Sequence, residues 1–312
     1  MTTTGTFHYL EPQSLSHDGK PWVTVNPDAK TDVEPDVSSF KHRAVQKSVL
    51  NVRGHESDFS NIDTAGFAVY NYPSSVPEEA FFAEEDQVIR TAYYQEVEEI
   101  LWSKLSGVKK VVIFDHTVRK REQDSARQPV LKVHIDQTPS AAEARVKRHL
   151  PDSEADKLLK GRYQIINVWR PIGHPASDHP LAVIDWRSTT PADLIPIDIL
   201  LPKQDNDPQD NNRSKRALPD PASGRSPPGY EVKGEFYGLV PSEKHQFYYF
   251  KDMTPDEVMF VKCYDAHSEG QPAGRQTISA VGAHSAFMDP ATSESASGRQ
   301  SIEVRCLVFY DE

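Results

Sequence analysis

Residues 234–312 contain, in order, GEFYGLVP (234–241), KHQFYYF (244–250), DEVMFVKCYDA (256–266), HSAF (284–287) and SIEVRCLVFYDE (301–312). These runs are rich in aromatic and β-branched residues and are separated by Gly, Pro, Asp and Ser, which is the pattern of short strands. Working back toward the N-terminus, VKKVVIFDHTVR (108–119), VLKVHIDQT (130–138), YQIINVWRPI (163–172) and LAVIDWRS (181–188) read as further strands. Two helices are expected among them. The first runs from Pro77 to Leu105, where Val88, Ala92, Val97, Ile100 and Leu101 recur near helical spacing behind an acidic start. The second runs from Ala141 to Lys160, entered near Pro139 and closed by Gly161. Many short strands with helices before and between them predict a mainly β fold with flanking helices, a barrel or jelly roll carrying a helical layer. No GxGxxG or GxxxxGK[ST] follows a strand, so a dinucleotide or P-loop fold has no support. The hydrolase elbow GxSxG is absent as well.

The composition narrows the function classes. An apolar share of 37% in 312 residues is ordinary for a globular chain with a substantial core. No apolar run approaches the roughly 20 residues of a membrane span. The opening MTTTGTFHYLEPQSLSHDG lacks the basic start and apolar run of a secretory signal, so a cytoplasmic protein is expected. Cys263 and Cys306, the only cysteines, exclude a disulfide framework and a cysteine zinc site by number; buried thiols are expected. A net charge of −11 argues against a nucleic-acid partner. The basic runs VRKR (118–121) and RVKR (145–148) read as solvated faces. The expected organisation is one domain over 1–312, with 1–60 as an N-terminal arm. Residues 203–229, with five prolines and no aromatic, read as a mobile insertion. The expected partner is a small-molecule substrate, with no membrane partner; a homodimer is compatible with the chain.

The chemistry centres on VLKVHIDQT. His134 and Asp136 stand at i and i+2, on the same face of a strand, so imidazole and carboxylate can converge. With a second histidine they make a facial triad that leaves positions on iron(II) for a co-substrate and O2. H-x-D is a common pair and specifies little by itself. Two distal histidines compete: His284, in AHSAFMDP, is preferred over His267, which sits in the loop-like CYDAHSEG with Arg275 eight residues later. After His284 comes Arg299 with Ser301, an R-x-S pair on one strand face. Its guanidinium and hydroxyl suit the distal carboxylate of 2-oxoglutarate. Arg305, in the same register, is the rival. Asn167 and Arg170 in NVWRP are further candidates for the keto acid or a substrate carboxylate, with Asn167 and Trp169 on one face and Arg170 on the other. Asp115 and His116 are adjacent and should point apart, which favours a structural or substrate-facing role. Tyr248, Tyr249 and Phe250 read as core and pocket wall.

HIDQTP, YQIINVWRPI, PLAVID, YYFKDMTPDEVMFVKCYD, HSAFMDP and RQSIEVRCLVFYD resemble, in that order, the blocks of a fungal and bacterial oxygenase family. It includes gibberellin desaturase-like enzymes and relatives of the small component of cephalosporin 7-alpha-methoxylase. The resemblance covers residues 60 to 312. It implies a double-stranded β-helix, Fe(2+) as cofactor with 2-oxoglutarate and O2 as co-substrates, and C–H oxidation of a small natural-product intermediate. Position by position, it implies iron ligands at His134, Asp136 and His284. The distal block P-H-T-A-F reads AHSAF here, and R-x-S-I-E-x-R matches Arg299 to Arg305 without a gap. Two other readings share the same ligands: a cupin-like metal hydrolase or isomerase that needs no 2-oxoglutarate, and a binding protein that keeps the barrel without catalysis.

Overall fold

The computed structural model describes residues 2–16, 19–25, 37–122, 125, 127–203 and 229–311. In chain order the N-terminal third holds β1 (Thr2–Leu10), β2 (Trp22–Thr24), β3 (Val37–Ser38), β4 (His42–Asn51), α1 (Ile62–Ala65), β5 (Phe67–Asn71), α2 (Tyr94–Lys104) and β6 (Val108–Lys120). The middle holds β7 (His134–Ile135), α3 (Pro139–His149), α4 (Asp152–Leu158), β8 (Tyr163–Pro171), β9 (Leu181–Ile184) and β10 (Leu194–Pro202). The remainder is all strand: β11 (Tyr230–Leu239), β12 (Phe247–Tyr249), β13 (Glu257–Asp265), β14 (His284–Ala286) and β15 (Gln300–Tyr310).

These strands make two sheets. One has ten strands in the order β1-β4-β12-β9-β14-β7-β11-β10-β2-β3, and the other five in the order β5-β13-β8-β15-β6. Pairing is antiparallel except where β2 meets β10 and β4 meets β12. The mainly β, jelly-roll class expected from the sequence is the observed one. Between the sheets, Trp169, Met259 and Val261 of the smaller pack on Leu181 and Val183 of the larger and on Phe250, which follows β12. β15 shows how the period-two pattern distributes the chain. Its even positions Ile302, Val304, Cys306 and Val308 turn outward onto Val97, Ile100 and Leu101 of α2. Its odd positions Ser301, Glu303 and Arg305 turn inward to a pocket. Further along, Leu307 and Phe309 meet Ala142 and Val146 of α3 and Ala155 of α4. Cys263 and Cys306 are both buried and free.

Several boundaries differ from the sequence expectation. Within 77–105 the long α-helical run is Tyr94–Lys104, preceded by a 3-10 turn at Glu78–Phe82 and a π segment at Ile89–Tyr93. The rings of Phe81 and Tyr93 lie 5.0 Å apart, edge to face. Twelve residues of continuous helix would separate them by about 18 Å, so the chain must fold back to bury both. The second helix divides at Leu150, which is extended (ψ 151) ahead of Pro151. The proline ring disfavours helical backbone in the residue before it. Residues 2–10 and 42–51, expected in an arm, form β1 and β4, and they bury Phe7, Tyr9 and Val49 in the larger sheet's core. The stretch 203–229 lies outside the described residues except for Lys203 and Gly229.

One buried ionic group ties α1 to the smaller sheet. Lys262 Nζ, on a side chain with no exposure, donates to Asp63 (2.6 Å), Asp265 (2.8 Å) and the Ser279 carbonyl (3.0 Å). Burial alone would raise the Asp265 carboxyl. Lys262 and Arg162 outweigh burial and hold it at about 2. A carboxyl depressed on folding stabilises above its unfolded value, about 3.9, and loses that contribution as pH falls through its folded value. The urea midpoint should therefore fall between about pH 4 and pH 2. Lys262→Met should flatten that slope and cost roughly 3–5 kcal/mol at pH 7, because it leaves Arg162 as the one cation facing both Asp63 and the buried Asp265 among the described residues. An unchanged midpoint in Lys262→Met would contradict this account.

Candidate active site

The inner faces of the two sheets meet around His134, Asp136 and His284. His134 on β7 stands directly opposite His284 on β14 in the larger sheet, with ring centroids 4.5 Å apart. β7 is short because the chain must leave it for α3. Thr138 caps that helix by accepting from Ala141 N, and Pro139 occupies its first turn. Asp136 sits on this exit, with Oδ1 3.3 Å from His134 Nε2. The three side chains each offer a ligand atom, all within 4.8 Å of one another.

The donor set fits a divalent transition metal. His134 Nδ1 lies 2.8 Å from the Lys132 carbonyl and His284 Nδ1 3.1 Å from the Gly282 carbonyl. A carbonyl only accepts, so each Nδ1 carries a proton, and in its neutral form each ring turns its Nε2 lone pair toward the cluster. Burial and the His134 charge hold His284 below the usual histidine range, which favours the neutral, ligating form. For His134 burial acts downward, but Asp136 outweighs it and the net shift is upward. For Asp136 burial acts upward, and His134, Arg305 and His284 together hold it well below the carboxylate range.

Beside the cluster lies a small cavity of about 60 Å³ between β15, β6 and β14. Arg299 borders it at 2% exposure. Its Nη1 donates to the His179 carbonyl (2.8 Å), its main-chain N donates to Asp178 (3.2 Å), and its guanidinium lies 5.7 Å from the Trp169 ring. Its Nε finds no partner among the described residues. Burial, and then the like charge of Arg119, push Arg299 down to about 9. A buried guanidinium in this state is short of an anion, and a carboxylate in the cavity would supply it. Ser301, two residues on, also lines the cavity.

The other residues singled out by sequence divide. Asn167 and Arg305 reach the site, but both bond to Asp136: Asn167 Nδ2 to Oδ2 at 2.8 Å and Arg305 Nε to the same oxygen at 3.3 Å. Arg170 is not brought to it. That side chain faces the helical layer and donates to the Tyr93 hydroxyl (3.1 Å) and the Pro255 carbonyl (2.5 Å). His267 is not part of the cluster; it lies in the turn after β13, its N on Asp265 Oδ1, and Arg275 is exposed. Asp115 pairs with Arg305, whereas His116 turns away to the Tyr94 hydroxyl at 2.7 Å. Tyr249 and Phe250 are core residues of two different clusters, and Tyr248 packs on the rim of the one that holds Phe250. Sequence reasoning missed Thr117, Arg119 and Glu303, all of which line the cavity. Arg119, read as part of a solvated basic run, stands opposite Ser301 across the sheet. The signal was available in the period-two spacing of Thr117 and Arg119 along β6.

The chain matches a family described as the oxidoreductase/YMDC permease-like domain over residues 7–309. It is 32% identical over 266 residues to the Fe(II)/2-oxoglutarate-dependent dioxygenase nvfI of Aspergillus novofumigatus, spanning 83% of this chain and 82% of that protein. A solved structure titled iron and alpha-ketoglutarate-dependent endoperoxidase NvfI superposes with a TM-score of 0.75 at 25% identity, covering 100% of this chain and 99% of that one. The chain belongs to this family of iron(II)/2-oxoglutarate-dependent dioxygenases. A further member of similar extent is the hydroxylase/desaturase efuI of Hormonema carpetanum, 29% identical over 291 residues, or 88% of this chain and 86% of that protein. As a dioxygenase of this family the protein uses iron(II), 2-oxoglutarate and O2 on a small-molecule substrate. Among the described residues, no helix is long and apolar enough to cross a membrane.

Proposed function

We propose that this dioxygenase binds iron(II) through His134 Nε2, Asp136 Oδ1 and His284 Nε2, and grips the distal carboxylate of 2-oxoglutarate with Arg299 and Ser301. The reaction is C–H oxidation of a small natural-product intermediate by hydroxylation, desaturation or oxidative cyclisation; relatives named hydroxylase/desaturase support the first two outcomes. One observation carries the residue assignment. Three donors converge beside a buried arginine that makes no ion pair among the described residues. When bound, iron supplies with O2 and 2-oxoglutarate the oxidising power to remove hydrogen from an unactivated C–H bond.

The protein's own residues bind, orient and exclude water. Main-chain carbonyls fix the tautomers of both histidines. Trp169 and Leu181 close the pocket wall beside Arg299. A second cavity of about 290 Å³ adjoins the first at Val130 and is lined in part by Pro129, Leu131 and His179. It gives the substrate room beside a small iron pocket. A single oxygenase domain working in the cytoplasm, without nucleic acid, belongs to the same proposal. The two unpaired cysteines and the net charge of −11 support it.

The test is conversion of 2-oxoglutarate to succinate by purified protein with iron(II) and O2. Succinate that depends on both is the expected result. Metal binding without succinate, under any candidate substrate, would return the cupin-like hydrolase or isomerase reading.

A further inference from the structure

Asp136 Oδ2 receives two side-chain donors, and they come from the opposite sheet. Asn167 on β8 and Arg305 on β15 are direct cross-strand neighbours in the five-stranded sheet. Both reach across the pocket to the same oxygen, at 2.8 and 3.3 Å. Oδ1 is left facing His134 Nε2. We propose that Asn167 and Arg305 form a positioning clamp that fixes the Asp136 carboxylate and leaves Oδ1 as its one metal-binding oxygen. This rests on the reading of His134, Asp136 and His284 as the metal site.

Three observations support a positioning role over a hold on the co-substrate. Four of the five N–H donors of Arg305 are already engaged, Nη1 by Asp115 (3.1 Å) and Thr117 (3.0 Å), Nη2 by Glu303 (2.7 Å), and Nε by Asp136. These partners come from β6, β15 and the exit of β7, so the guanidinium is pinned from three directions. Asn167, with no exposure, spends its amide on Asp136 while its Oδ1 is buried with no partner among the described residues. An asparagine serving packing alone would avoid that unsatisfied acceptor. The consequence concerns coordination number. A carboxylate free to rotate can chelate through both oxygens and take a second position on the metal. A facial triad works by leaving positions open. Occupying Oδ2 with two donors removes that option before the metal arrives.

The test compares metal-free wild type with Asn167→Ala and with the double variant Arg305→Gln/Glu303→Gln. The second change in the double variant removes the carboxylate that the lost arginine would strand. Co(II) is titrated into each, and affinity and visible spectrum are read, since cobalt absorption responds to coordination number. Circular dichroism confirms that each variant is folded, and Asn167→Ala alone decides the matter if the double variant is not. The expected result is a loss of roughly 10- to 100-fold in Co(II) affinity, the usual effect of removing an outer partner of a metal ligand, with an altered spectrum. Folded variants with wild-type affinity and spectrum overturn the clamp and leave the metal site standing. The same holds for variants that keep Co(II) affinity and lose only 2-oxoglutarate affinity, which would make these residues co-substrate holders. If wild type itself binds no Co(II), the metal site and the clamp fall together.

Discussion

His284→Ala is expected to abolish 2-oxoglutarate turnover and weaken metal binding by more than two orders of magnitude, while His267→Ala changes neither. The lower bound follows from outer partners of metal ligands, whose loss alone costs about 10- to 100-fold; removing a ligand must cost more. The contrast follows from placement. His284 faces His134 across the sheet with its Nδ1 tied to a carbonyl and its Nε2 free, whereas His267 lies in the turn after β13. His284 is buried at 4% exposure but lines the small cavity, so alanine there leaves a gap next to the pocket rather than deep in the core. Succinate formation and Co(II) titration on both variants check the prediction. Loss of turnover in His267→Ala with retention in His284→Ala would reverse the assignment.

Arg299→Leu should raise the KM for 2-oxoglutarate by roughly 30-fold to several thousand-fold. Truncating one partner of a buried, hydrogen-bonded charge pair costs about 2–5 kcal/mol, and this range converts directly into affinity. The stability effect should run against habit. Most buried charges are paired, so their removal strands a partner; Arg299 makes no ion pair among the described residues, and Arg119 repels it. The metal-bound variant without 2-oxoglutarate should then melt close to wild type. What it loses is ligand stabilisation. Wild type should gain about 2.7 kcal/mol at 2-oxoglutarate concentrations of about 100 Kd, and Arg299→Leu should gain far less at the same concentration. Thermal melts with and without 2-oxoglutarate, in the presence of Co(II), measure both halves. A variant with unchanged KM would move the co-substrate site elsewhere.

Much of the fold was legible because period two survives in the strands that matter. R-x-S-x-E-x-R, which begins one residue before β15 and runs into it, turns every second side chain into the pocket, and the intervening Ile302 and Val304 go to the helical layer. The triad was legible for the same reason, helped by the order of the resembling blocks. What could not be read was which groups face one another across the gap between sheets. Strand spacing puts Asn167 on the face of Trp169 and Arg305 in register with Arg299, but nothing local says that Asp136, and not a keto acid, lies opposite. Arg119 sat within a basic run whose composition looks solvated, and only its pairing opposite Ser301 brings it inside. β10 carries Pro196 and Pro202, which argue against a strand, yet its pairing with β11 forms across a register shift. The first helix was over-extended because tertiary burial of Phe81 against Tyr93 outweighed local periodicity, and the second because Pro151 interrupts it.

Anaerobic titration with iron(II) and 2-oxoglutarate tests the central claim most directly, because the keto acid chelated on a facial triad gives a weak visible charge-transfer band. This band is expected in wild type, absent in Asp136→Ala, and displaced to much higher 2-oxoglutarate concentrations in Arg299→Leu. A folded wild-type protein that shows no band with both ligands at saturation would contradict that claim.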